Sequence, residues 1–254
     1  MKAVWKGYLG FGLVNIPVSL YSAIEKNKFS FRLLHSKDKG PINYKRVCSK
    51  CDQEISWNDI VKGLEITKNE FYVLTKEELE ELKPEGDDLI EIHEFVDKSE
   101  IDPIFINNHY FIGPIEGAER PYYLLKETLG SSNRIAIATF VMREKKYLSI
   151  IQNYNQGLLL SILNWSDEIR SIENIPYINQ EKSKLKQREL DLAEELVDKL
   201  TSKSLNLSKY KDTFTENLKK AIKLKAKGEF VSIQKEKRKE TENLIDTLRA
   251  SIEK

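Results

Sequence analysis

Apolar positions alternate with polar ones, or run together in short stretches, along residues 3–165, and beyond Pro176 they recur at helical spacing. The first pattern is that of strands with one or both faces buried, and the second that of amphipathic helices. Val4–Gly10, Phe11–Ile24, Phe29–Leu34 and Ile42–Val47 read as strands. Pro17 implies an edge or bulge, and Gly7, Gly10 and Gly12 imply bends of the kind that curl a sheet into a barrel. Leu64–Thr67 and Phe71–Leu74 follow as strands, after which Thr75-Lys76-Glu77-Glu78 is a capping box opening a short helix that ends near Pro84. Leu89–Val96 and His109–Ile112 are further strands, and Arg120–Leu129 is a helix with Pro121 in its first turn and Gly130 as its stop. Arg134–Arg143 is apolar on both faces, as in a strand covered on two sides, and Tyr147–Gln152 and Leu158–Trp165 complete the β portion.

In the remainder, Leu190, Ala193, Leu196, Val197 and Leu200 share one helical face, and Tyr210, Phe214, Leu218 and Ile222 share another after an expected Ser208 N-cap. Gly228 stops that second helix. Residues 231–240 are a polar, mixed-charge tether, and Leu244, Ile245, Leu248 and Ile252 form a last amphipathic stripe. No repeat of solenoid period is present.

With 254 residues, 40% of them apolar, the chain can bury a substantial core. It has no h-region of signal-peptide length and no apolar run long enough to span a bilayer, so a cytoplasmic protein is expected, nucleoid-associated if its ligand is DNA. The formal net charge of +1 conceals strong segregation. Up to Cys51 ten lysines and arginines are opposed only by Glu25 and Asp38, whereas residues 76–119 hold fourteen carboxylates against Lys76, Lys83 and Lys98. Basic charge on ordered strands points to a polyanion, of which duplex DNA is the commonest, and the acidic stretch should face away from it.

Catalytic patterns are missing from the sequence. It contains no phosphate-binding G-x-x-x-x-G-K-[ST], no G-x-S-x-G and no H-E-x-x-H. Lys37-Asp38-Lys39-Gly40 fails as the K-x-D-G motif of nucleotidyl-lysine enzymes because Lys39 occupies the aspartate position. Cys48 and Cys51, at C-x-x-C spacing, supply half of a tetrahedral zinc site. Completion would need His35, His93, His109 or a second chain, so no cofactor is expected beyond a possible zinc, and reduced thiols in a tight hairpin are the other reading.

Six blocks then resemble the prokaryotic Ku family, the end-binding proteins of bacterial and archaeal non-homologous end joining. They are Gly10-Phe11-Gly12-Leu13-Val14-Asn15-Ile16-Pro17-Val18, Tyr44-Lys45-Arg46-Val47-Cys48 with Cys51, Ile101-Asp102-Pro103 ahead of Tyr110-Phe111, Arg134-Ile135-Ala136-Ile137-Ala138, Trp165-Ser166-Asp167-Glu168-Ile169-Arg170, and Tyr210-Lys211-Asp212-Thr213-Phe214. The resemblance implies a mixed β/α fold: a Ku-type β-barrel with an inserted bridging arm, then a C-terminal helical arm and a short tail. The implied division is a core over residues 1–178 with the bridge at roughly 28–75, a helical arm over 179–228 and a tail over 229–254.

The family also implies a non-catalytic homodimer whose bridges close a ring around linear double-stranded DNA ends and which recruits and stimulates the ATP-dependent DNA ligase D. Lys37, Lys39, Tyr44, Lys45 and Arg46 fall in the bridge as phosphate contacts, with Arg32, Arg134, Arg143, Lys145 and Lys146 as secondary candidates. Leu190, Leu196 and Leu200 would contact the partner subunit, and Tyr210, Phe214 and Leu218 the ligase. The alternative is a phage-type Ku-like protein that shields ends from nucleases without recruiting a ligase. Asp52 stands where the family often has glycine after the second cysteine.

Overall fold

Seven strands close into a barrel in the computed structural model, which describes residues 1–25, 29–84, 88–178 and 186–227. The chain divides into two units, Met1–Ser171 and Ile172–Lys254. In the first unit the barrel strands are β1 (Trp5–Phe11), β2 (Val14–Ser22), β5 (Leu89–Asp97), β6 (Ile106–Pro114), β7 (Arg134–Met142), β8 (Lys145–Tyr154) and β9 (Gly157–Leu163). Between β2 and β5 lie a separate hairpin of β3 (Lys62–Thr67) and β4 (Glu70–Leu74), and the one-and-a-half-turn helix α1 (Lys76–Glu81). Helix α2 (Glu119–Ser132) joins β6 to β7.

Around the barrel the order is β1-β2-β6-β9-β8-β7-β5. Every pairing is antiparallel except the closing one, where β5 runs parallel to β1 with Tyr8 opposite Leu89. Closure leaves no edge strand for Pro17 to occupy. Pro17 lies just past the end of the β2–β6 pairing, which begins at Val18 opposite Pro114, so its missing N–H interrupts no bond on that side.

Alternation along the strands fills the core. Leu9, Ile16, Val18, Leu20, Ile90, Ala136, Ala138, Ile151 and Leu160 are completely buried and form one cluster with Tyr122, Leu125 and Leu129 of α2. The other face of β7 and β8 is covered too: Ile135, Ile150 and Leu163 are buried, with Ile101 and Phe105 from the β5–β6 connection packed against them. β7 is therefore the doubly covered strand its composition requires.

Gly7 and Gly10 serve close approach, whereas Gly12 takes φ 57° in the turn between β1 and β2. A Cβ on Gly7 would stand 2.2 Å from the Asp88 carbonyl oxygen, which accepts a hydrogen bond from the Tyr8 amide at 2.7 Å, and 2.5 Å from the Trp5 ring. Gly7→Ala is expected to push β1 away from the entry of β5 and to cost about 1–3 kcal/mol, read as a lowered melting temperature by circular dichroism.

Three local expectations are corrected. Phe29–Leu34 and Ile42–Val47 form no strands; only isolated bridges, Leu34 with Pro41 and Val47 with Glu54, join these segments, because no neighbouring strand of the chain lies alongside them. Gly130 does not stop α2, which runs on to Ser132 and is capped by Asn133 in the left-handed conformation (φ 51°). A Cβ on Gly130 would stand 2.3 Å from the Asn153 amide nitrogen, so its glycine admits β8 close to the helix. The capping box at Thr75 forms as expected, with Thr75 and Glu78 each accepting from the other's amide.

The second unit holds α3 (Gln187–Leu200) and α4 (Thr213–Ala226). Asp212, not Ser208, caps α4 by accepting from the Thr215 amide at 3.1 Å. Ser208 belongs to a single 3-10 turn capped by Asn206, and Tyr210 consequently precedes the helix it was expected to share. Neither helix contains a buried residue. The Gly228 stop, the tether and the terminal stripe lie outside the described residues.

Candidate nucleic-acid interface

Antiparallel alternation fixes which residues gather at each end of the barrel. β2 leaves at Ser22 and β5 returns at Leu89, so both roots of the arm formed by residues 23–88 emerge at one end. The β7–β8 turn, Arg143-Glu144, is at that same end. Both residues have positive φ, 53° and 64°, the geometry of a two-residue hairpin whose turn matches strand twist. Lys83 of the arm bridges to Glu144 of the turn at 2.8 Å and also pairs with Glu80, and these carboxylates hold its ammonium above the ordinary lysine range.

The arm carries its basic residues on two small hairpins. In the first, the His35 amide donates to Gly40 and the Ile42 amide to Leu33, which places Lys37 and Lys39 at the tip. Asp38 accepts from the Gly40 amide at 2.8 Å and faces His35 Nδ1 at 3.0 Å; the amide first, then the imidazole, hold its carboxyl below the usual range. Lys39 has φ 61° and donates to the Ser36 carbonyl, while Lys37 has no hydrogen-bond or ion-pair partner among the described residues. In the second hairpin the Cys48 amide donates to Gln53 and the Ile55 amide to Arg46. Lys45 meets Glu54 at 2.6 Å, and the Arg46 guanidinium lies 4.1 Å from the centre of the Trp57 ring.

This arrangement suits a phosphate backbone. A guanidinium stacked on an indole is held in orientation while its in-plane N–H groups remain available for bidentate phosphate contact. Trp57 and Glu54 are the partners that residue-type reasoning missed. The only signal for them is the hairpin itself, since the Val47–Glu54 bridge brings their segment back beside Lys45 and Arg46. Tyr44 is 80% exposed beside them, and Arg32 is exposed between Phe31 and Leu33.

The structure gathers most of the ten expected contacts but not all of them. Arg143, Lys145 and Lys146 share the barrel end from which the arm springs, with Lys145 lying 5.5 Å from the Tyr147 ring centre. Arg134 starts β7, opposite Asp97, and therefore stands at the far end, roughly 26 Å away at about 3.3 Å per strand residue. It borders an apolar groove lined by Phe11, Phe95 and Leu124. In the second unit Leu190 and Leu200 are exposed and Leu196 is half-buried on α3, while Phe214 and Leu218 lie one turn apart on α4 and Tyr210 is exposed ahead of it.

Between Tyr21 and Leu89 no described apolar side chain is buried. Phe31, Trp57, Val61, Leu64 and Tyr72 are each at least 60% exposed. An arm that carries this much apolar surface beside clustered cations lacks a core of its own.

A closed seven-stranded barrel with a long insertion between its second and third strands, counted along the chain, whose first half presents cations on two small hairpins, defines a β-barrel protein with a cation-bearing arm. The family model of the Ku70/Ku80 beta-barrel domain matches residues 10–192, and the chain belongs to that family. Its sequence is 39% identical over 253 residues to the non-homologous end joining protein Ku of Archaeoglobus fulgidus, covering 100% of this chain and 99% of that one. It is 37% identical to the Bacillus subtilis protein of the same name, with 100% and 82% covered, and 34% identical to that of Mycobacterium tuberculosis, with 90% and 84% covered. Among the described residues no helix is long and apolar enough to cross a membrane.

Proposed function

We propose that this chain is a non-catalytic DNA-end-binding protein of non-homologous end joining. Two copies form a ring whose arms enclose the duplex, which loads over the ends of linear double-stranded DNA irrespective of sequence. The carrying observation is the arm: Lys37, Lys39, Lys45 and Arg46 lie on an extension rooted at the same barrel end as Arg143, Lys145 and Lys146, and its apolar side chains are uncovered in the single chain. Cations of this kind bind backbone phosphates and read no bases. The uncovered apolar faces fit burial against a second subunit, and the exposed residues of α3, Leu190 and Leu200, fit a further contact with it.

We assign ligase D recruitment to Tyr210, Phe214 and Leu218, of which Tyr210 and Phe214 are exposed and Leu218 is half-buried, on or beside α4. The relatives' names, which assign them to non-homologous end joining, support the pathway. We place the protein in the cytoplasm on the nucleoid, where such ends occur.

The test compares binding to a linear duplex and to the same sequence as a closed circle at matched salt, with the mass of the free protein measured in parallel. Retention on the linear form that survives a salt challenge, loss from the circle and a dimeric mass are expected. Equal retention on both forms, or a monomer, would overturn the ring.

A further inference from the structure

We propose that the groove between α2 and the barrel rim, at the end opposite the arm, docks a short acidic segment of a partner protein through an aliphatic or aromatic anchor. The inference goes beyond the DNA-binding reading and does not depend on the ring.

Helix α2 closes that end of the barrel, with Tyr122, Leu125 and Leu129 buried in the core. Its flank of Leu124, Thr128 and Ser132, spaced four residues apart, lines a cavity of about 340 Å³ together with Phe11 and Phe95. Phe11 ends β1 and Phe95 lies near the end of β5, and their rings meet edge to face with centres 6.4 Å apart. From Leu124 to Ser132 the helix wall runs about 12 Å, at about 1.5 Å per residue. Leu124 is 68% exposed and Phe95 44%. A concave apolar wall of this length takes up bulky side chains, and it offers a phosphate backbone nothing to bind.

At one end the groove reaches two cations. Arg134 borders it and also lines a second cavity of about 130 Å³, with Lys98, Gln152 and Asn153. Leu129 belongs to both cavities, which are therefore continuous. Asp97 stands opposite Arg134 in the β5–β7 register, but its Oδ1 accepts from the Ser99 amide at 3.1 Å and the Ser99 hydroxyl at 2.8 Å. Neither Arg134 nor Lys98 has a hydrogen-bond or salt-bridge partner among the described residues. The carboxamide oxygen of Asn153 is buried and has no hydrogen-bond partner either, and a buried acceptor is costly until a donor reaches it.

An acidic peptide segment answers all three features. Its anchor fills the apolar wall, its carboxylates meet Arg134 and Lys98, and an N–H can reach Asn153. Strand addition is not available at this surface, because the closed barrel has no free edge. Side chains must carry the contact, as when an amphipathic helix lays its anchors in a groove. A partner held here leaves Lys37, Lys39, Lys45 and Arg46, on the arm at the other end of the barrel, free for the duplex.

The experiment selects phage-displayed random peptides of roughly twelve residues, about three helical turns, on the immobilised full chain. Enriched peptides should pair a leucine or aromatic residue with carboxylates. Thr128→Trp, which fills the groove, should weaken them about thirtyfold or more, the loss of a buried anchor. Lys98→Glu with Arg134→Glu should weaken them about tenfold or more, and should bind better once the peptide carboxylates are changed to lysine. Both charged positions are exposed, so this arm of the test stands even where the tryptophan disturbs folding. No enriched peptide, an enriched set without carboxylates, or affinities that neither change moves would overturn the inference. A Thr128→Trp chain that turns monomeric would make the groove a subunit contact, and one that folds but loses duplex binding would put it on the DNA path. Peptides that bind only after removal of residues 229–254 would make the chain's own tail the occupant. Each of these three outcomes also overturns it.

Discussion

Replacing Lys37, Lys39, Lys45 and Arg46 together by alanine, which removes eight phosphate contacts from the two subunits, is expected to flatten the dependence of duplex affinity on salt by roughly 7 in log–log slope, about 0.9 for each contact. The same relation makes the loss of affinity about seven orders of magnitude at 0.1 M salt, because each contact contributes roughly eightfold there relative to 1 M. All four side chains are exposed, so the barrel should fold as before, and circular dichroism would confirm it. Fluorescence anisotropy across a salt series, on two duplexes of unrelated sequence, measures the slope; the change should be the same on both. Arg134→Ala is the geometric comparison. Standing at the far end of β7, it should leave the slope unchanged, and a flattening of about 1.8, roughly 0.9 from each subunit, would place DNA along the whole barrel and not only at the arm end.

The second large effect concerns Tyr122→Phe. The Tyr122 hydroxyl donates to the Ile112 carbonyl at 2.7 Å and accepts from the Leu158 amide at 2.9 Å, at the last paired position of β6 and β9. Burial pushes this phenol above its ordinary range and keeps it protonated, and so able to donate. Phenylalanine fills the same space but leaves a buried amide and a buried carbonyl unpaired, a loss of about 2–4 kcal/mol. In a unit of this size that is a fall in melting temperature of about 6–12 °C, measurable by calorimetry. The DNA-binding slope of protein that remains folded should not change, since Tyr122 lies in the barrel core.

Much of the fold was legible along the chain because its signals are local. Alternation located the barrel strands, the Thr75–Glu78 pair located α1, and the apolar run from Ile135 to Met142 announced a strand covered on both sides. Two of the misreadings share one cause, in that the outcome depends on what lies beside the residue from elsewhere in the chain. Gly130 resembles a helix stop, yet its hydrogen side chain serves Asn153, and Ile42–Val47 has strand composition but no strand beside it. Ser208 and Asp212 are both competent caps, and only the start of α4 chooses between them.

For the interface, the sequence alone determined the chemistry: a block of cations near the N-terminus, a paired C-x-x-C, and an acidic stretch set apart from both. Those follow from residue type and order, which need no folding to be read. Which cations act together was decided by the tertiary structure. Pairing between strands distant in sequence brings Arg143, Lys145 and Lys146 to the arm's roots and carries Arg134 to the opposite end, and hairpin return sets Trp57 against Arg46 and Glu54 against Lys45. The physical reason is that charge is a property of a residue, whereas position in a barrel follows from register, which exists only once distant strands have paired.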